Sequence, residues 1–377
     1  MEESVQTDQS VQVEVKPIKL VTDMSDVFVL MLLPELPAFK VNEPLEDIKL
    51  CGRSILDWSM KSIDGLPYRK VAVKKNDDLM TIVRDNTRES KYTVVLYADT
   101  PLMTAETIEQ AVAYVRAYGH HAGRMSRGWV FETETAKTND VVEPVDIPNL
   151  AQQDFIVAYN YGQLSAVETI ARQRINLKLL GKGVRIEDIN TAYIDADVVI
   201  ERGVVIEPNV RIKGTSNIKA MANILTGSII TNSFIGENSV IGPYAYFRGG
   251  VKTGKGCRVF NFVEAKDCEI GDKTTIKHMT YVSNATIGKN CNIGNGVVFA
   301  NYAGKKDEKG KSIKNHTTMG DNVFVGCNCN LVAPLMLEDS AYIAAGSTIT
   351  KDVPKHALAI ARTQQNIKEN YWNVEEE

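Results

Sequence analysis

Isoleucine returns every sixth residue from position 194, with Ile194, Ile200, Ile206, Ile212, Ile218, Ile224 and Ile230 in one register. A period of six is neither the 3.6 of an amphipathic helix nor the plain alternation of a strand; it is the spacing of a coil built from six-residue sides. The register slips by one residue at Ile235 and continues through Ile241, Phe247, Thr253, Val259 and Ala265. Further slips begin the runs Ile270, Ile276, Val282 and Ile287, Ile293, Phe299, and after a polar interruption the pattern resumes at Val325, Leu331, Leu337, Ile343 and Ile349. Four residues after many of these positions stands a small side chain, among them Val198, Val204, Ser216, Ala222, Ser239, Cys291, Cys329 and Ser347. Two inward positions per hexad predict a parallel β-helix of triangular coils, stacked at about 4.8 Å, with small residues relieving the crowding at the corners. The length from Ile194 to Ile349 accommodates roughly eight coils. The interruption AGKKDEKGKSIKN, residues 303–315, is too polar for such a core and predicts a loop leaving one corner.

The front half follows another pattern. An apolar strand from Val27, the segment PLEDIKLCGRSILDWSMKSI, a strand over Tyr92–Ala98 and a helix beginning near Thr104 read as an α/β unit. The chain therefore divides into a polar tail (1–24), an α/β domain (25–165), a linking helix (166–190) stopped by Gly181 and Gly183, the β-helix (191–353) and a C-terminal segment (354–377).

Composition narrows the function classes. A chain of 377 residues exceeds the needs of one core. Its 43 Lys and Arg against 47 Asp and Glu give a net charge of -4, with no electrostatic footprint for nucleic acid. The apolar run Val27–Leu33 is far short of the ~20 residues that span a bilayer and is preceded by acidic residues, so neither a signal peptide nor a membrane anchor is expected. Six cysteines without paired CxxC spacing point to reduced thiols and a cytoplasmic location. Cys257, Cys291 and Cys329 fall at inward small positions and read as packing. His316 and His356 lack ligand spacing, His120 and His121 read as surface residues, and no transition-metal site is expected.

The succession IGPYAYFRGG, NFVEAKDCEIG, KHMTYVSNATIG, NIGNG, ANYAG, GDNVFVGC, LVAP, IAAGSTITKDV and ALAIAR, from about Ile235 to Arg362, closely resembles the acetyltransferase half of a bacterial bifunctional family. Its members are N-acetylglucosamine-1-phosphate uridylyltransferase and glucosamine-1-phosphate N-acetyltransferase in one chain. The resemblance implies a left-handed β-helix, an acetyl-CoA donor, an amino-sugar phosphate acceptor and a homotrimer with sites between neighbouring subunits, serving UDP-N-acetylglucosamine and cell-wall synthesis. His278 matches the general base, and an imidazole titrating near ~6.5 suits that task at neutral pH. Glu264 and Asn301 match residues that position the amine and the histidine. Arg248, Lys266, Tyr281, Asn292 and Lys314 match the acceptor site, where a dianionic phosphate requires cations. Asn295, Tyr302, Cys327, Ala345 and Arg362 match donor contacts, with Cys327 where the family usually has serine and Asn295 where alanine is common.

The front domain is similar to a sugar-phosphate nucleotidyltransferase (Rossmann-like), through CGRSILDWSMKSI and VVLYADTPLMTAETIEQA. That family follows its first strand with a glycine-rich turn, because triphosphate oxygens need close backbone approach; this chain has LMLLPELPAFK, and Glu43 stands before Pro44-Leu45 in place of a lysine. Asp99 in YADTPL matches the magnesium-binding aspartate and Asn160 lies near the second ligand position. The expectation is a domain degenerate for uridylyl transfer, with Mg2+ involved only if that activity survives. The competing readings are an active or altered nucleotidyltransferase and a non-catalytic trimeric scaffold or sensor.

Overall fold

A computed structural model describes residues 23–34, 47–369 and 371, so most of the expected tail and the Glu43-Pro44-Leu45 position lie outside the described residues. The described residues form two compact units, one within 1–48 and 55–163, the other within 49–54 and 164–377.

In the first unit a six-stranded sheet has the order Tyr68–Val73, Val27–Pro34, Tyr92–Tyr97, Gly128–Glu132, Ala122–Met125, Val145–Asp146. Its first three strands are parallel, with Val29 opposite Tyr68 on one side and Val94 on the other. Val27 to Leu32 are buried without alternation, as expected of a parallel strand covered on both faces. Helix Ala105–Tyr118 begins where Thr104 Oγ1 accepts the Thr107 N–H, buries Ile108, Ala111, Val112 and Val115 at helical spacing, and ends on left-handed Gly119.

The second unit is a left-handed β-helix, its stacked coils as the hexads predict and its hand as the family resemblance implies. Ile206, Ile224, Ile241, Val259, Ile276, Ile293, Val325 and Ile343 sit in register along one ten-stranded parallel face. The other two faces join through the long strands Glu264–Ile270 and Tyr281–Ile287. The ladder residues form one continuous core, each aliphatic side chain worth about 1.5–3 kcal/mol by burial. The expected packing cysteines are buried and donate S–H to carbonyls of the following coil, Cys257 to Gly271, Cys291 to Gly320 and Cys329 to Ala344. Stacking starts at Arg185–Ile186, before residue 191, because helix Tyr161–Gly181 stops earlier than expected and Gly183, at φ 85°, turns the chain into the first rung. The polar interruption leaves its corner as an antiparallel hairpin, Tyr302–Lys306 against Ser312–Lys314.

Candidate active site

The expected base and three of the donor residues stand in one column. His278, Asn295, Cys327 and Ala345 each lie two residues beyond a rung residue of the ten-stranded face, Ile276, Ile293, Val325 and Ile343. Their carbonyls and the N–H groups of the next coil form a ladder along this corner: Gly296 to His278 (3.1 Å), Asn328 to Asn295 (2.8 Å) and Gly346 to Cys327 (2.8 Å). His278, Cys327 and Ala345 are exposed, Asn295 half-buried. Glycine is required beside them, since a β-carbon on Gly294 would lie 2.7 Å from the Cys327 nitrogen and one on Gly326 would lie 2.4 Å from that of Ala345. Adjacent coils thus approach at backbone distance, about 4.8 Å per rung, and these side chains project along the corner.

Beyond His278 the chain turns into strand Tyr281–Ile287, and this second face carries the cations. Glu264 pairs in register with Tyr246 and Tyr281, and Lys266 with Arg248 and Ser283. Phe247 and Ala265 point inward, so Arg248, Glu264 and Lys266 project outward. Arg248 directs Nε (3.0 Å) and Nη2 (2.5 Å) to one oxygen, Oε1 of Glu264. This hydrogen bond raises the guanidinium further, and among the described residues it leaves Glu264 Oε2 without a hydrogen-bond partner. Lys266 Nζ is 3.7 Å from Asp267 Oδ2.

The hairpin is tied to the same face. Buried Asn301 donates to Ser283 Oγ (3.0 Å) and Asn284 Oδ1 (3.3 Å), and Lys314 Nζ lies 4.9 Å from the centre of the Tyr302 ring. Ser283 and Asn284 were not singled out from sequence; the inward phase of VSNAT was the available signal. Two expected residues are not brought to this cluster within the chain. Asn292 sits on the preceding face between Thr275 and Phe324. Arg362 is exposed beyond the last strand, Leu358–Ala359.

In the first unit Asp99 is fully buried, and both its oxygens are taken by Arg127, Nε to Oδ1 at 2.8 Å and Nη2 to Oδ2 at 2.5 Å. Burial by itself would depress the Arg127 guanidinium, and the hydrogen bonds and charge of Asp99 reverse this into a net rise. The guanidinium also lies 4.1 Å from the Tyr97 ring centre and 5.6 Å from that of Tyr159. Asn160 does not join Asp99. Its Oδ1 accepts the Gln163 N–H at the start of the long helix, and Tyr159 is the neighbour that reaches the aspartate. A divalent cation does not fit a carboxylate already occupied by a guanidinium. No group of three or more acidic, histidine or cysteine side chains suited to a metal occurs among the described residues, and none of their helices is long and apolar enough to cross a membrane.

Fold and corner geometry together define a hexapeptide-repeat β-helix joined to an N-terminal α/β unit. The model for the hexapeptide repeat of succinyl-transferase matches residues 316–351. The chain is similar to the Bifunctional protein GlmU of Acetivibrio thermocellus, at 55% identity over 130 residues, 34% of this chain and 27% of the relative. It is similar also to the protein of that name from Clostridium botulinum, at 41% identity over 253 residues, 63% of this chain and 53% of the relative. The chain thus spans at most about half the length of these curated relatives. A solved Francisella novicida UDP-N-acetylglucosamine acyltransferase aligns over 47% of this chain and 66% of that one, at 18% identity and TM-score 0.37.

Proposed function

We propose that this protein transfers the acetyl group of acetyl-CoA to the 2-amino group of glucosamine 1-phosphate, in the synthesis of UDP-N-acetylglucosamine. What supports the reading is the place of His278 at a corner, in one column with Asn295, Cys327 and Ala345 and just before strand Tyr281–Ile287, which pairs with the strand carrying Glu264 and Lys266. Arg248 and Lys266 bind the phosphate and Tyr281 borders it. Glu264 Oε2 accepts from the amino group and His278 removes its proton. The nitrogen attacks the thioester carbonyl, an N–C bond forms, the C–S bond breaks, and coenzyme A leaves as the thiol once protonated. Asn301 holds the root of the hairpin that brings Tyr302 and Lys314 to the site.

Asn292 and Arg362 take part from a neighbouring subunit in a homotrimer. Supporting self-association is a stripe of exposed apolar side chains on the His278 corner, Tyr244, Phe262 and Met279, the first two stacked with ring centres 5.7 Å apart. The front unit does not carry out uridylyl transfer, because Arg127 claims the carboxylate that a metal would need.

Coenzyme A release across a panel of amino sugars and their phosphates tests the first statement. Turnover with glucosamine 1-phosphate and little with unphosphorylated glucosamine is expected, and no thiol release with any acceptor overturns it. Pyrophosphate release by the full chain from UTP, Mg2+ and N-acetylglucosamine 1-phosphate would overturn the second.

A further inference from the structure

At the opposite end of the β-helix from its last rungs, the second unit holds a cavity of about 370 Å³ with an excess of positive charge. It lies in the size range of a site for one small metabolite. Four cations line it, Lys49, Arg172, Arg211 and Lys213, against two carboxylates, Glu168 and Asp195. Arg211 and Lys213 flank buried Ile212 on one strand, so both point outward, one rung beyond Tyr193 and Asp195. Arg172 comes from the long helix, and its guanidinium carbon and that of Arg211 lie 4.4 and 4.9 Å from the centre of the same Tyr193 ring.

Three of these cations have little internal compensation. Among the described residues Arg172, Arg211 and Lys213 have no ion pair, and Arg172 Nε is buried without a hydrogen-bond partner. Asp195 Oδ2 is committed to the Gly214 N–H at 2.8 Å. The tip of a second hairpin, the short antiparallel strands Lys49–Leu50 and Arg53–Ser54, closes on that carboxylate so tightly that a β-carbon on Gly52, at φ +79°, would stand 2.5 Å from Oδ2. Cys51, beside the tip, has its thiol pushed up to about 12 by burial and by Glu168 and Asp195, so it adds no negative charge at neutral pH. An aromatic ring carrying two guanidiniums, with an ammonium beside them, is a receptor for a planar or tetrahedral oxyanion, which arginine binds by paired charge-assisted hydrogen bonds.

We infer that this cavity is a binding site for a small phosphomonoester, separate from the acetyl-transfer site. Four steps along the ten-stranded face, about 19 Å at the usual strand spacing, lie between this coil and His278. A ligand here therefore cannot be the reacting acceptor.

The test is titration of the full-length protein with inorganic phosphate and with a panel of sugar phosphates at low ionic strength, followed by phosphorus NMR line broadening. Three forms are compared: wild type, R211Q/K213Q, and R248A/K266A, which removes the phosphate contacts of the proposed acceptor site. Binding that persists in R248A/K266A and weakens about ten- to hundredfold in R211Q/K213Q is expected. Binding that is lost in R248A/K266A alone, or is equal in R211Q/K213Q and wild type, overturns the inference. A second readout needs no variant: acylation of the Lys213 amine in wild type should slow when phosphate is added, and an unchanged rate counts against the site. Neither readout depends on acetyl transfer, so the two proposals can fail separately.

Discussion

Replacing Arg127 by alanine removes the partner of a carboxylate that is 0% exposed. Breaking a buried pair by deleting one member costs about 3–5 kcal/mol, because the remaining charge is stranded away from water. The Arg127 side chain itself keeps 24% of its exposure, so solvent reaches one edge of the pair and the expected cost falls to about 2–4 kcal/mol. The lost stacking on Tyr97 is included in that figure. Urea unfolding followed by tryptophan fluorescence is a suitable assay, since Trp58 and Trp129 both belong to the first unit. The cause is isolated by D99N/R127A, in which a neutral amide no longer requires a cation. If the penalty is electrostatic, the double variant recovers at least half of the loss. A cost below about 1 kcal/mol for R127A, or a double variant no more stable than R127A, would refute the claim that Arg127 serves Asp99.

Arg248→Ala should raise the KM for glucosamine 1-phosphate well above any change in the KM for acetyl-CoA, and equal effects in steady-state kinetics would remove Arg248 from the phosphate site. Cys327 is exposed, the other five cysteines are buried, and burial pushes Cys257 up to about 11 and Cys268 to about 12. A disulfide-exchange reagent at pH 8 should thus titrate one fast thiol in the native protein and all six after unfolding, with acetyl-CoA protecting the fast one; several fast thiols would contradict the packing. Phe247→Ala, at a fully buried rung between Ile230 and Ala265, should cost about 3–5 kcal/mol in urea unfolding followed by circular dichroism, which reports on the β-helix, whereas exposed Val199→Ala should stay within about 0.5 kcal/mol.

The β-helix was legible because its inward positions follow from backbone geometry, which repeats whatever the outward residues are. Ile194 to Ile230 announce the coil, and the polar run 303–315 announces a loop leaving one corner, which the structure shows to be a hairpin. From there the corner column follows by counting, since His278 and Asn295 keep the same offset from rung residues Ile276 and Ile293. Tertiary pairing was not legible. Nothing near Arg127 in the chain marks it as the partner of Asp99, because their approach depends on how the Gly128–Glu132 strand aligns beside Tyr92–Tyr97. The stacking of Lys314 on Tyr302 likewise depends on an antiparallel register that the composition of the loop does not specify. Asn292 was grouped with Arg248 by resemblance, and its separation onto another face appears only once the corners are assigned to particular residues.

The central claim is that the imidazole at the junction of donor column and cationic face takes the proton from the acceptor amine. The most direct measurement is kcat for coenzyme A release by His278→Ala with glucosamine 1-phosphate, alongside acetyl-CoA affinity and the circular dichroism melt. The account predicts a fall of about 10²- to 10⁴-fold in kcat with affinity and melt unchanged. A folded variant that turns over at the wild-type rate would contradict it.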